Sequence, residues 1–259
     1  MIDLSNLCGF SLKIDEGRGR VIFGDDVNCK CEQFVSLQEI IPVLLNKQLK
    51  YPENVYKEHK SLYEREDQKG NSISYDLLYI PYGLLGIEFI KTHIYESTFV
   101  ENKYHCMVEL LSGEMMIVMQ RNAEKEDMFQ METYVDDMVI VKLAPGEKLA
   151  VPTGYMYTFV NIGLAPVVFA KISTKDQSPM DYAALRRERG LAYYIISKNA
   201  KVEAVANPKY KINCRLKNMS LKKLLKDEDL KNTYSPFEAN TTLFNYMVNN
   251  DKIEELIFF

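Results

Sequence analysis

Between residues 73 and 173 the chain is a succession of short β-rich runs broken by turn residues. The runs are 74–80, 86–93, 106–120, 137–143, 148–151, 157–161 and 167–172. Between them stand Pro81-Tyr82-Gly83, Gly113, Pro145-Gly146, Pro152-Thr153-Gly154 and Gly163. Many short strands at this spacing predict an antiparallel sandwich or barrel rather than βαβ units. Met115-Met116-Ile117-Val118-Met119 is apolar at both parities, which predicts a strand covered on both faces. Upstream, residues 10–24 alternate about Gly17-Arg18-Gly19 and predict a hairpin or an extended arm. Leu37, Ile40, Ile41, Leu44 and Leu45 recur at helical spacing over 36–49, with Ser36 as N-cap and Glu39 three residues on. Residues 51–72 are polar and read as a loop with one extended piece at Val55-Tyr56. Downstream, 182–189 reads as a helical turn or two stopped by Gly190, and 191–197 and 202–205 as two strands closed by Asn207-Pro208. Residues 220–232 and 236–247 carry amphipathic helical patterns.

These patterns predict a mainly all-β protein in three parts: an N-terminal arm (1–35), a barrel domain (36–210) and a helical C-terminal extension (211–259). The 259 residues suffice for one large domain or two small ones. With 47 % hydrophobic and 26 % charged residues, the composition is that of a globular protein. A net charge of −4 and the lack of a basic stretch with interleaved aromatics argue against nucleic acid as a partner. No apolar run approaches the roughly 20 residues a membrane helix needs. The opening Met1-Ile2-Asp3-Leu4-Ser5-Asn6 lacks the basic and apolar regions of a secretory signal, so a cytoplasmic location is expected. Cys8, Cys29, Cys31, Cys106 and Cys214 are odd in number and irregularly spaced, which favours reduced thiols over a disulfide framework. Cys29-Lys30-Cys31 is half of a zinc pattern without a second half.

Residues 146–161 follow the pattern G-x5-P-x-G-x2-Y-x3-N, anchored by Gly146, Pro152, Gly154 and Asn161. This resembles the second conserved motif of the cupin superfamily, which normally carries a metal-binding histidine at the Tyr157 position. Three further segments sharpen the resemblance to one branch, the cupin-type phosphoglucose isomerases: Tyr75-Asp76-Leu77, the run from Gly86 through His93 to Tyr95, and Leu111-Ser112-Gly113. The tail from Glu188 to Tyr210 looks like the strand pair that closes those domains. The resemblance implies an antiparallel cupin jelly-roll barrel, a homodimer, and an aldose–ketose sugar-phosphate isomerase activity.

That family holds a divalent metal with a His-x-His pair, a glutamate and a histidine from the second motif. Carried over by position, the first ligand is kept as His93, and the others fall on Tyr95, Cys106 and Tyr157. Phenols serve as metal ligands only when deprotonated, from a pKa near 10. The expectation is therefore a pocket without a cofactor, with a divalent metal as the alternative. Register matters here: Cys106, Val108 and Leu110 share one strand face, while His105, Met107 and Glu109 share the other. The Gly113 register turns Cys106 inward, and a one-residue slip would bring His105 and Glu109 beside His93. Cys106 and Glu109 are the candidate catalytic residues. Tyr56, Lys91, Thr92, His93, Tyr95, Cys106 and Tyr157 are the candidate ligand pocket, with Lys91 and Thr92 as possible anion contacts. The functional expectation is a weakly active or inactive sugar-phosphate-binding or scaffold protein that takes a small polar ligand. The alternative is an active glucose-6-phosphate isomerase.

Overall fold

The structure, a computed structural model, describes residues 1–25, 27, 31–66, 72–96, 106–123, 132–151, 154–174, 185, 187–220 and 234. The chain opens with β1 (Ile2–Asp3), α1 (Ser5–Cys8), β2 (Leu12–Asp15) and β3 (Arg20–Phe23), and β2 and β3 form the hairpin expected around Gly17-Arg18-Gly19. β4 (Cys31–Ser36) then leads into α2 (Leu37–Ile40), where the Glu39 carboxylate accepts from the Ser36 amide and hydroxyl. The helix is far shorter than 36–49. Pro42 lacks the amide to continue it, the next residues tighten into a 3-10 turn at Ile41–Val43, and Leu44 is already extended. The stretch read as a loop is mostly strand: β5 (Asn54–Glu66) pairs with β6 (Ser72–Ile80). Its alternation is obscured because an inward position carries a charge, Glu58, and because the register shifts between His59 and Tyr63, where Ser61 has φ 54°.

The run 86–93 is not one strand. It breaks at Gly86 (φ +72°) into β7 (Leu84–Leu85) and β8 (Glu88–Phe89), followed by the short β9 (Tyr95–Glu96). Beyond it come β10 (Met107–Ser112), β11 (Met115–Asn122), β12 (Thr133–Leu143), β13 (Lys148–Ala150), β14 (Met156–Asn161) and β15 (Val167–Thr174). The closing hairpin is β16 (Tyr193–Lys198) with β17 (Lys201–Ala206). After it, β18 (Tyr210–Ile212) and β19 (Lys217–Ser220) pair in parallel with β12. The extension therefore begins as strand rather than helix. The helical patterns at 220–232 and 236–247 lie outside the described residues apart from Ser220, as do half of 182–189 and the Pro152-Thr153 turn.

Strand pairing is nested: β6 with β15, β9 with β14, β10 with β13, and β11 with β12, all antiparallel. The nested pairs fall alternately into two sheets, ordered β13-β10-β15-β6-β5-β4 and β18-β12-β11-β14-β9. That connectivity is a jelly roll of the cupin type. Parity assigns the layers. Val167 and Phe169 of β15, Leu78 and Ile80 of β6, and Cys106, Val108 and Leu110 at β10 belong to the core between the sheets. Val168, Ala170 and Ile172, with Tyr75, Leu77, Met107 and Leu111, instead pack beneath Leu4, Cys8, Phe10, Leu12 and Ile14 of the N-terminal segment. Met115, Ile117, Val118 and Met119 are all buried, so β11 is covered on both faces. No helix among the described residues is long and apolar enough to cross a membrane.

Candidate functional site

β5 and β9 bring a carboxylate and two phenols together inside the barrel. Tyr56 and Glu58, two residues apart, face the same way, and Glu58 Oε1 accepts from Tyr95 Oη at 2.8 Å and from Tyr56 Oη at 3.1 Å. The two hydroxyl oxygens lie 3.5 Å apart. The other Glu58 oxygen pairs with Lys60 Nζ at 3.0 Å. Because β9 and β14 are in register at Tyr95 and Tyr157, the two rings stack with centroids 5.6 Å apart. Phe159 packs edge-on against Tyr157 and also meets Phe169, closing the floor. His93 sits just before β9, its ring edge-on to Tyr56 at 5.9 Å and its Nε2 3.9 Å from Glu39 Oε1. On β15, Lys171 has the parity of Phe169, and its Nζ lies 4.4 Å from the Tyr95 ring centroid. Asp76, directly opposite Lys171 across the β6–β15 pairing, shares that face and accepts from the Ser61 amide at 2.8 Å.

Burial sets the protonation of this cluster. It pushes the Tyr95 hydroxyl well above its ordinary value of 10.0, reinforced by Tyr56 and the carboxylate of Glu58. The Cys106 thiol is likewise pushed up by burial, against the opposing pull of the Lys171 ammonium and a Tyr157 hydrogen bond. Glu58 behaves oppositely: burial would raise it, but Lys60, Lys171 and the Tyr95 hydroxyl hold it below the usual carboxylate range. Asp76 is raised by burial despite Lys171. His93 is lowered by burial, although Glu58 and Glu39 favour its charged form. The arrangement is a largely desolvated network that holds the Tyr95 phenol and the Cys106 thiol protonated at neutral pH.

Of the residues singled out in the sequence, Tyr56, His93, Tyr95, Cys106 and Tyr157 meet in this cluster. Three others do not. Lys91 Nζ turns to the Glu88 carboxylate (2.7 Å) and the Val43 carbonyl (3.0 Å), which ties the 3-10 turn after α2 to β8. Thr92 is engaged in backbone: its Oγ1 donates to the His93 carbonyl at 2.9 Å and accepts from the Phe159 amide at 3.1 Å. Glu109 lies in the outer layer, buried against Lys148 at 2.9 Å. His105 is outside the described residues. Among the described residues, no three His, Cys, Asp or Glu side chains are grouped to hold a metal. Glu58, Asp76 and Lys171 were missed in the sequence. A signal was present for Asp76 and Lys171, since each is a charge at the inward parity of an otherwise apolar strand, as in Val167-Val168-Phe169-Ala170-Lys171-Ile172.

The family model of glucose-6-phosphate isomerase (GPI) matches residues 37–212, about two thirds of the chain. No curated protein matches by sequence. Solved structures that align include peruvianin-I, a cysteine peptidase from Thevetia peruviana latex, at 16 % identity and TM-score 0.28 over 42 % of this chain and 53 % of that one. The Drosophila melanogaster CENP-C cupin domain aligns at 12 % identity and TM-score 0.28, over 43 % of this chain and 74 % of the domain. A Bacillus subtilis oxalate decarboxylase OxdC mutant aligns at 15 % identity and TM-score 0.33, over 50 % of this chain and 29 % of that one. The chain thus spans about half the length of peruvianin-I and less of the decarboxylase.

Proposed function

Because this chain belongs to the glucose-6-phosphate isomerase (GPI) family, we propose that it is a member without the family's metal-dependent centre, weakly active or inactive as an isomerase, whose barrel interior binds a small polar ligand. The observation that carries this reading is the Tyr95–Tyr157 stack, with its hydroxyls beside Glu58 and Cys106, at positions the resemblance gives to metal ligands. A divalent ion needs several donors with free lone pairs at roughly 2.0–2.3 Å. Here the Tyr95 phenol is held protonated and donates to Glu58, and the Cys106 thiol is pushed up by burial. His93 is the one ligand of the set that stays as the family has it. This donor set does not fit a metal.

Proton transfer between C1 and C2 of a sugar phosphate also needs a base whose pKa is close to the working pH. Glu58 is the carboxylate nearest the cluster's centre, but its two oxygens are engaged and its pKa is depressed, which makes it a poor acceptor. Cys106 fails for the opposite reason, as its thiol stays protonated. Groups that act as a unit are not restored one at a time, so added metal alone is not expected to rescue turnover. A coupled assay of glucose 6-phosphate and fructose 6-phosphate interconversion, with and without manganese, zinc or ferrous iron, tests this. The expected outcome is turnover far below the common enzyme range of about 1–1000 per second. Turnover within that range would establish the alternative, an active isomerase, and make Glu58 and Cys106 the first residues to replace.

A further inference from the structure

Lys171 is 4 % exposed. Among the described residues its Nζ has no hydrogen-bond or ion-pair partner, and its close contact is the face of Tyr95 at 4.4 Å. The nearby carboxylates are occupied elsewhere. Glu58 accepts from Tyr56 and Tyr95 and pairs with Lys60, while Asp76 caps the Ser61 amide. Burying a lysine side chain without a direct acceptor carries a cost, which the through-space pull of Glu58 and Asp76 reduces, and it leaves the Nζ N–H groups available to an acceptor that enters the interior. A ring face offsets only part of that cost. The strand needs no charge at this position, since Val167 and Phe169 fill the same face with apolar side chains.

We infer that Lys171 is the cationic anchor of an oxyanion-binding site inside the barrel, taking the carboxylate or phosphate of a small molecule. The inference deepens the proposed ligand-binding reading and rests on it. A cation on β15 stands across the interior from Tyr157 and next to Tyr95, so an anionic oxygen drawn to Nζ lies against the phenols and the Cys106 thiol. The Cys106 thiol, held protonated by burial, does not repel an anion there, and the Tyr95 hydroxyl, donating to Glu58, adds no charge of its own. His93 and Tyr56 mark the side nearest to solvent, where Glu39 and Lys60 are partly exposed.

Calorimetric titration of the full chain with gluconate, glucose 6-phosphate, inorganic phosphate and neutral glucose tests the inference. At least one of the three anions should bind one per chain while glucose does not, and the arm that binds tells carboxylate from phosphate. Lys171→Met should stay folded and should bind the same anion at least tenfold more weakly. Lys171→Gln is the second variant if the first does not fold. Unchanged anion affinity in a folded variant would overturn the inference, as would glucose binding as well as the anions, and in both cases the ligand-binding reading survives. No binding by any probe to the parent overturns both. Isomerase turnover in the coupled assay would overturn the non-catalytic reading and leave the anchor role of Lys171 standing.

Discussion

Asn161 is fully buried, and its amide nitrogen donates to the carbonyls of Ile80, Pro81 and Ala165 while its oxygen accepts from the Gly163 amide. One side chain thus ties the end of β14 to the end of β6 and to the turn before β15. The motif's asparagine therefore serves the framework, independently of Tyr157. Gly146 and Gly154 hold left-handed turns at φ +87° and +77°, and none of the three touches the ligand position. Framework and chemistry reside in different residues, so the sequence can keep one while altering the other. The histidines make a testable contribution to stability. Burial lowers both His59 and His93 below the ordinary 6.5, so the folded chain resists protonating them. For an imidazole lowered in the folded state, stability is full above the unfolded pKa and is lost as pH falls from 6.5 toward the folded values. Chemical denaturation should therefore show a lower midpoint at about pH 5.5 than at about pH 7.5, and the double variant His59→Gln/His93→Gln should lose most of that difference. An undiminished difference in the double variant would place the effect on other groups.

Among the elements, the tight connection from β10 to β11 has the narrowest tolerance. Gly113 sits at φ +88°, and a Cβ there would meet the Pro166 carbonyl oxygen at 2.6 Å and Val167 Cγ2 at 2.9 Å. Gly113→Ala should cost roughly 1–3 kcal/mol through the forced backbone conformation alone, with the clash adding to it, measured as a shift in denaturation midpoint. A neutral result would mean that the β10 register is not pinned there. The same glycine fixed the inward face of β10 in the sequence, and Cys106, Val108 and Leu110 do line the core. Strands with a clean apolar parity were legible in the same way, as β6, β12, β14 and β15 show. What escaped was β5, whose inward positions are Tyr56 and Glu58 and whose alternation is interrupted by the irregularity after His59. A strand that carries the site's charge inward looks like a solvated loop to a hydrophobicity pattern. For the same reason Glu58 was missed, while Asp76 and Lys171 escaped as single charges inside apolar strands that were read, and the tyrosines and His93 were found.

The barrel is finished by segments from both ends of the chain. Phe10, Tyr63, Tyr75 and Tyr234 form a closed group of four rings, each pair of centroids between 4.5 and 6.1 Å apart. The group ties the N-terminal segment and one residue of the C-terminal extension to the outer layer of β5 and β6. Among the described residues two edge strands are exposed: β4, at one end of a six-stranded sheet, with Phe34 on its surface, and β17, at the edge of the closing hairpin, along nearly its whole length. A homodimer paired through such an edge is the expected assembly. Sedimentation should report twice the 30.0 kDa chain mass, and a monomer at micromolar concentration would contradict it. The central claim, however, is about the barrel interior: the protonated Tyr95 and Cys106, with the ionised Glu58 carboxylate, are proposed to stand where the family resemblance places a metal. Elemental analysis tests it most directly, on full-length protein loaded with manganese, zinc and iron and then passed through gel filtration. The expected result is far less than one equivalent of any transition metal per chain. One equivalent of iron, zinc or manganese retained through the column would contradict the account.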